Sequence, residues 1–176
     1  MTLPDFIDLR TQMAVALVES IFRRAGYRLA PLATRAIPPH LGREDVPDFV
    51  AVPPIPSEEI RSRPVKVRHR RHVSQYLTVE VRRGPRSFLA LAKQYWPGLV
   101  VVFVADEPEP GHSCFRVLDL ATWNQGDTPA LIDLSAHRGL NIYQVNVEEH
   151  EMLACRILAL LSTRHAHLAE ESTGSG

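Results

Sequence analysis

Three charged side chains in this sequence have the types and spacing that could carry chemistry. Asp48 stands at the start of a short apolar run, and Glu80 and Arg82 lie two residues apart in YLTVEVRR, residues 76–83. Read with the two-residue period of a β-strand, that segment places its apolar side chains on one face and Glu80 with Arg82 on the other. The pattern indicates either a site or the solvated face of a half-exposed strand, where a neighbouring arginine neutralises Glu80.

A resemblance to a known family rests on these residues and their order. The pair PD at Pro47 and Asp48, then EVR from Glu80 on the next long predicted strand, then a helix and a buried strand, resemble the PD-(D/E)xK (restriction-endonuclease-like) nuclease superfamily over residues 8–119. In that family two acids, with the carbonyl of the residue after the second acid, hold one or two divalent metal ions. The resemblance therefore implies Asp48, Glu80 and Val81 as ligands of Mg²⁺ or Mn²⁺, which prefer oxygen ligands. It also implies cleavage of phosphodiesters by metal-bound water.

Two further roles follow from the resemblance, each with a plainer alternative. Many members add an acid from the first helix, and Glu19 stands at that place, although it could equally lie on a solvated helix flank. Arg82 replaces the motif's lysine; it stays charged, so it could act electrostatically but not as a general base. The lysine could instead come from the following helix as Lys93, unless that side chain is simply solvated.

A dense basic run gives a second, independent signal. The chain has 18 arginines against two lysines, and many of them lie between residues 61 and 86. The predicted nucleic-acid contacts are Arg61, Arg63, Lys66, Arg68, Arg70, Arg71, Arg83 and Arg86. Such a local positive field suits a phosphate backbone and salt-sensitive binding, DNA being the expected partner. The alternative is a charged edge strand that protects itself from aggregation.

Composition sets the remaining bounds. At 176 residues with no net charge, the chain is expected to form one domain over 1–168, followed by a disordered tail at 169–176. Cys114 and Cys155 lie in apolar surroundings without metal-ligand spacing, which predicts reduced thiols in a core and a cytoplasmic setting. No segment approaches the roughly 18 apolar residues of a membrane span, so no membrane partner is expected.

Apolar periodicity and proline or glycine breaks predict the elements. The predicted helices cover 8–26, 87–96 and a terminal segment capped by Asn146, with Glu149 three residues on. The predicted strands cover 27–33, 47–54, 65–72, 76–83, 99–106 and 113–123, with a short edge strand at 142–145. This order describes an α/β domain with a mixed central sheet flanked by helices, and the resemblance implies a restriction-endonuclease-like core.

Three functions are compatible with the sequence. The first is a Mg²⁺-dependent nuclease, and the second is a catalytically inactive nuclease-like module that binds DNA or serves as a subunit of a larger assembly. The third is a protein-interaction domain without nucleic acid, which would show no salt-dependent affinity for DNA. The terminal helix around residues 152–161 is a candidate surface for a homodimer.

Overall fold

Over residues 3–33, 37–39, 41–42 and 44–173, which the computed structural model describes, the chain forms a six-stranded mixed sheet between two layers of helices. In chain order, which is also their order across the sheet, the strands are β1 (Arg28–Ala30), β2 (Phe49–Val52), β3 (Arg63–Arg70), β4 (Val100–Ala105), β5 (Phe115–Asp119) and β6 (Ile132–Asp133). β3 and β4 run parallel, and the other neighbouring pairs are antiparallel.

The described helices lie on both faces of this sheet. They are α1 (Leu3–Arg24), α2 (Val73–Arg82), α3 (Phe88–Tyr95) and α4 (Gln144–Thr173), with short 3₁₀ turns at Gly84–Arg86 and Leu134–Ala136. α1 and α4 pack on one face, and α2 and α3 pack on the other. The predicted α/β class, with a mixed sheet flanked by helices, is therefore confirmed.

β4 explains why the sheet has helices on both sides. Every residue of its VVVFVA run is buried, as expected for a strand covered on both faces. Val100, Val102 and Val104 belong to the core under α1 and α4, whereas Val101 and Phe103 belong to the core under α2 and α3. The run predicted as a buried strand thus joins the two cores.

The connection from β3 to β4 shapes the candidate site. Two parallel strands cannot be joined by a tight turn, so the chain crosses over through α2 and α3 before it returns as β4. The order through β4 is one helix, three antiparallel strands, two helices and a parallel strand. As a result α2 and α3 cover one face of β3.

The prediction of a strand over residues 76–83 is wrong, because residues 76–82 lie in α2 and Arg83 is the C-cap of that helix. Its buried residues are Val73, Leu77 and Glu80, which are spaced four and three apart and form one helical stripe, whereas Val79 is exposed. The β-branched residues favour a strand locally, but packing of the stripe against the sheet outweighs that preference. Glu80 and Arg82 therefore do not share a face.

Two predictions near the C-terminus are also corrected. The edge strand is β6 at Ile132–Asp133 and not residues 142–145, where the chain enters α4 at Gln144. Asn146 is not the N-cap, because it lies inside the first turn and its side-chain oxygen accepts the N–H of Tyr143 at 3.1 Å.

One of the two cysteines lies in the core, and α4 extends into the predicted tail. Cys114 is buried, as predicted, but Cys155 is exposed on α4, so only one of the two free thiols fills a core. α4 continues to Thr173 and so enters the predicted tail, whose last residues, 174–176, lie outside the described chain. In the part of the chain that is described, no helix combines the length and the apolar character that a bilayer span needs.

Candidate functional site

Asp48 and Lys66 form an ion pair where β2 enters the sheet. The antiparallel pairing of β2 with β3 sets Phe49 opposite Val65, so the residue before β2 lies beside Lys66. Lys66 Nζ donates to Asp48 Oδ1 at 3.3 Å, and the N–H of Val67 donates to Oδ2 at 2.7 Å. Both carboxylate oxygens are thus held by β3.

Burial of Lys66 makes its positive charge costly unless a counter-ion is present. Lys66 is buried, and desolvation lowers the pKa of its ammonium, while the charge and hydrogen bond of Asp48 act in the opposite direction. Asp48 is therefore the counter-ion that favours a charged lysine at this position.

Glu80 has a different set of partners. It is buried in the last turn of α2, where Oε2 accepts the N–H of Phe88 at 2.8 Å and Oε1 accepts from Arg83 Nη1 at 3.2 Å. Ser87 is the N-cap of α3 and accepts the N–H of Ala90 at 3.0 Å. Glu80 and Ser87 together satisfy two of the free N–H groups at the start of α3, a stabilising arrangement for a helix N-terminus.

Replacing Glu80 with alanine is expected to lower the free energy of unfolding by about 1 to 3 kcal/mol, because the N–H of Phe88 loses a charged acceptor. Glu80→Gln, which keeps an oxygen acceptor, should lose clearly less. Urea denaturation of both variants measures the difference. A loss in Glu80→Ala no larger than in Glu80→Gln would contradict this capping role.

The side chains that the sequence assigned to a metal do not fit a Mg²⁺ site. Asp48 and Glu80 each direct both oxygens to protein donors on different elements. The carbonyl of Val81 accepts the N–H of Arg83 at the end of α2. Among the described residues no group of three or more His, Cys, Asp or Glu could hold a metal ion.

The other predicted catalytic residues lie elsewhere. Glu19 pairs with Arg23 along the flank of α1 at 3.5 Å, and Lys93 donates to the carbonyl of Trp123. Arg82 is exposed on α2. Within the described chain none of these three hydrogen-bonds Asp48, so the structure does not gather the predicted catalytic set.

The basic run is divided between the interior and the surface. Lys66, Arg68 and Arg70 form what we call the cationic row, on the face of β3 that α2 and α3 cover. The guanidinium of Arg68 stacks on Phe88, 3.6 Å from the ring centroid, and that of Arg70 stacks on Tyr76 at 4.3 Å. The alternative of a charged edge strand is wrong, because β3 lies between β2 and β4 and the crossover helices cover this face.

Arg63, at the start of β3, is also withdrawn from the surface. It forms a bidentate ion pair with Asp119 at the end of β5, and its Nε donates to the carbonyl of Gly98 at 2.9 Å. His137 Nε2 lies 3.0 Å from the same carboxylate. Arg63 thus ties β3, β4 and β5 together at one end of the sheet.

The exposed arginines gather where α2 meets α3. Arg82, Arg83 and Arg86 are all exposed, and we call them the arginine corner. Arg83 pairs with Glu80, whereas Arg82 and Arg86 have no acidic partner among the described residues. Arg61 and Arg71 are exposed as well, and Arg71 pairs with Glu107.

Electrostatics connect the cationic row with the arginine corner. Burial lowers the pKa of the Arg68 guanidinium, and Glu80 is among the charges that act on it. Arg68 stacks on the ring of Phe88, the N–H of Phe88 donates to Glu80, and Glu80 pairs with Arg83, so a continuous series of contacts links the two groups of cations. The positive charge of the row and the corner therefore belongs to one region of the molecule.

Sequence reasoning missed two pairs of residues. The sequence predicts Lys66 as a nucleic-acid contact, although pairing of the predicted strands at 47–54 and 65–72 would bring it to Asp48. His69 and Asp106 pair at the carboxyl ends of β3 and β4, with both side chains largely buried. His69 and Asp106 come together because β3 and β4 run parallel, and no sequence pattern predicted that alignment.

Compared with known proteins, the chain matches no family model, no curated protein and no solved structure. Inference about its function therefore rests on the Asp48–Lys66 pair, the cationic row and the arginine corner.

Proposed function

We propose that this chain is a nuclease-like module of PD-(D/E)xK type that binds the phosphate backbone of nucleic acid, with DNA as the first candidate, and that it does not cleave it at Asp48. The observation that carries the proposal is the joining of the cationic row to the arginine corner. Within the row, Asp48 pairs with Lys66 and Asp45 pairs with Arg68, so the row adds mainly the charge of Arg70, and the corner supplies the accessible guanidinium groups.

The order of elements supports the family type. Pro47 and Asp48 precede the second of three antiparallel strands, and Lys66 lies opposite Asp48 on the third. In the family pattern an acid stands two residues before the lysine, and here that position is Pro64. In this alignment the chain has the first acid of the family motif, Asp48, but lacks the second. Lys66 would then be the lysine of the motif, in place of Arg82 or Lys93.

The missing acid favours a module without metal-dependent catalysis. Mg²⁺ sites in proteins use carboxylate and other oxygen ligands with open coordination positions for water and phosphate. Asp48 instead faces an ammonium group 3.3 Å away and a backbone N–H. The charge that would attract a metal ion is already neutralised by Lys66.

Backbone binding is supported by the state of the arginines. Arginine offers a planar fork of donors that suits phosphate, and stacking on an aromatic ring holds the guanidinium in place. Arg68 and Arg70 are held in this way, and Arg82 and Arg86 are exposed without a described acidic partner. Phosphates could therefore approach the corner without displacing an existing ion pair at those two residues.

Replacing Arg82 and Arg86 together with glutamine is expected to weaken DNA binding roughly tenfold and to reduce the slope of log K against log salt by about 1.8, because each lost phosphate contact removes about 0.9. Fluorescence anisotropy with a labelled duplex, a DNA single strand and an RNA strand at several salt concentrations measures both quantities. Arg28→Gln, an exposed arginine on β1, is the matched control and should bind like the parent protein.

The same titrations separate the alternatives. The absence of salt-dependent affinity for all three nucleic acids, or equal losses in the Arg28 control, would contradict backbone binding by this corner. Incubation of plasmid and single-stranded DNA with Mg²⁺ or Mn²⁺ tests the other half of the proposal. Cleavage that disappears in Asp48→Asn would show a nuclease and would overturn the non-catalytic interpretation.

A further inference from the structure

α4 carries an apolar stripe on the side that faces away from the protein. Its inner side is buried at Val147, Ala154 and Leu158, which belong to the core that α4 shares with α1. On its outer side the apolar residues have large exposed fractions: Val145 70%, Met152 60%, Leu153 47% and Leu160 68%. Exposed apolar side chains that gather on one face of a helix mark a contact surface more often than scattered ones do.

Two opposite charges lie within the same stripe. Glu149 and Arg156 are one turn of helix before and after Met152, and the spacing of three and four residues keeps all of them on one face. Arg156 has no described acidic partner. Glu149 accepts a hydrogen bond from Arg24 through Oε2, and its side chain is otherwise exposed.

We propose that this stripe binds the same stripe of a second copy of the chain, with the two α4 helices antiparallel about a twofold axis between Met152 and Leu153. That axis sets Val145 opposite Leu160 of the second copy. It also sets Glu149 opposite Arg156 and Met152 opposite Leu153. Every apolar position then meets an apolar position and both charges meet their opposites.

The self-complementary pattern is the reason for choosing a second copy as the occupant. A twofold interface uses the same patch on both chains, so it requires a pattern that matches its own reverse. The order of apolar, acidic, two apolar, basic and apolar positions along α4 has this property. A parallel arrangement would instead place Glu149 against Glu149 and Arg156 against Arg156, which is unfavourable.

The length of the stripe indicates how strongly the two copies should associate. From residue 145 to residue 160 a helix rises about 22 Å at 1.5 Å per residue. One helix pair of this length is small beside the interfaces of obligate dimers, so the dimer should be reversible and dependent on concentration. The inference does not rest on nucleic-acid binding, because none of the arginines of the row or the corner takes part.

Sedimentation velocity of the full chain over a wide concentration range tests the proposal. The parent protein should show a monomer–dimer equilibrium, and Met152→Glu should weaken it at least tenfold. Glu149→Arg and Arg156→Glu should each weaken dimerisation, and the double charge exchange should restore it, because the antiparallel pairs are rebuilt in reverse. Thermal unfolding of each variant checks that the monomer keeps its fold.

Three results would overturn the inference. They are a monomer at every concentration, a dimer that Met152→Glu leaves intact, and a double exchange that is no better than the single variants. Arg156→Glu alone keeps the test valid if Glu149→Arg disturbs the contact with Arg24, since Arg156 has no described ion pair within its own chain.

Discussion

Replacing Arg63 with alanine is expected to lower the free energy of unfolding by about 3 to 5 kcal/mol, the loss found when one partner of a buried ion pair is removed. Arg63 Nη1 donates to Asp119 Oδ2 at 2.7 Å, Nη2 donates to Oδ1, and both side chains are only 14% exposed. Without the guanidinium, Asp119 would keep His137 as a partner but would lose its charge-balancing arginine. The carbonyl of Gly98 would lose a donor as well.

Urea denaturation followed by circular dichroism measures this loss, and the chain supplies a matched control. Arg61 is exposed two residues earlier, and its Nε donates to the carbonyl of Glu58 in the same loop. Arg61→Ala should change the free energy of unfolding by no more than about 0.5 kcal/mol. Equal losses in the two variants would mean that the pair with Asp119 does not stabilise the sheet.

The same pair predicts how stability depends on pH. Burial alone would raise the pKa of Asp119, but hydrogen bonds from Arg63 and His137 outweigh it, so the pKa lies below its ordinary value. A carboxyl group with a lowered folded pKa stabilises the fold at pH values above its unfolded pKa, near 3.9, and this contribution is lost as the pH falls below that value. The parent protein should lose stability below about pH 4, and Arg63→Ala should lose less over that interval.

The parts of the fold that the sequence predicted correctly are those with one unambiguous period. The apolar stripe of α1 predicts a helix and the continuous apolar run of β4 predicts a buried strand. Both elements are confirmed, with α1 at Leu3–Arg24 instead of the predicted 8–26. α2 was mistaken for a strand because Thr78, Val79 and Val81 favour extended structure. The buried stripe of Val73, Leu77 and Glu80 can be recognised only once the sheet face against which α2 packs is known.

The candidate site was predicted in part, for a related reason. Asp48 lies at the entrance of β2, as its position after Pro47 indicated. The sequence predicted Glu80 as the second acid of the motif, next to Asp48. The structure instead places Lys66 beside Asp48, and the motif is hard to recognise there because Pro64 stands where the acid would be, two residues before Lys66. The density of arginines identified the basic run that includes β3, but it could not show that the crossover helices cover one face of this strand. Burial of Arg68 is a property of the packed molecule.

Replacing Asp48 with asparagine is expected to lower the free energy of unfolding by about 3 kcal/mol, because Lys66 would remain buried without its counter-ion. Asparagine keeps an oxygen for the N–H of Val67, so the variant isolates the loss of charge. Asp45 is the matched control, because it faces Arg68 at 3.5 Å but is 37% exposed against 21% for Asp48. Asp45→Asn should cost no more than about 1 kcal/mol, as exposed pairs do.

Lys66 decides whether this interpretation is right. Burial already lowers the pKa of its ammonium, so between that lowered pKa and the unfolded value near 10.4 the unfolded chain binds more protons, and stability rises with pH. Loss of the Asp48 charge should lower the pKa further and strengthen this rise, whereas adding Lys66→Met should abolish it and recover much of the lost stability. Urea denaturation of the single and double variants between pH 7 and 10 measures both effects.

If the double variant is no more stable than Asp48→Asn, the two residues do not act as a pair. If the double variant regains stability and still binds DNA, Asp48 and Lys66 stabilise the fold without contacting phosphate.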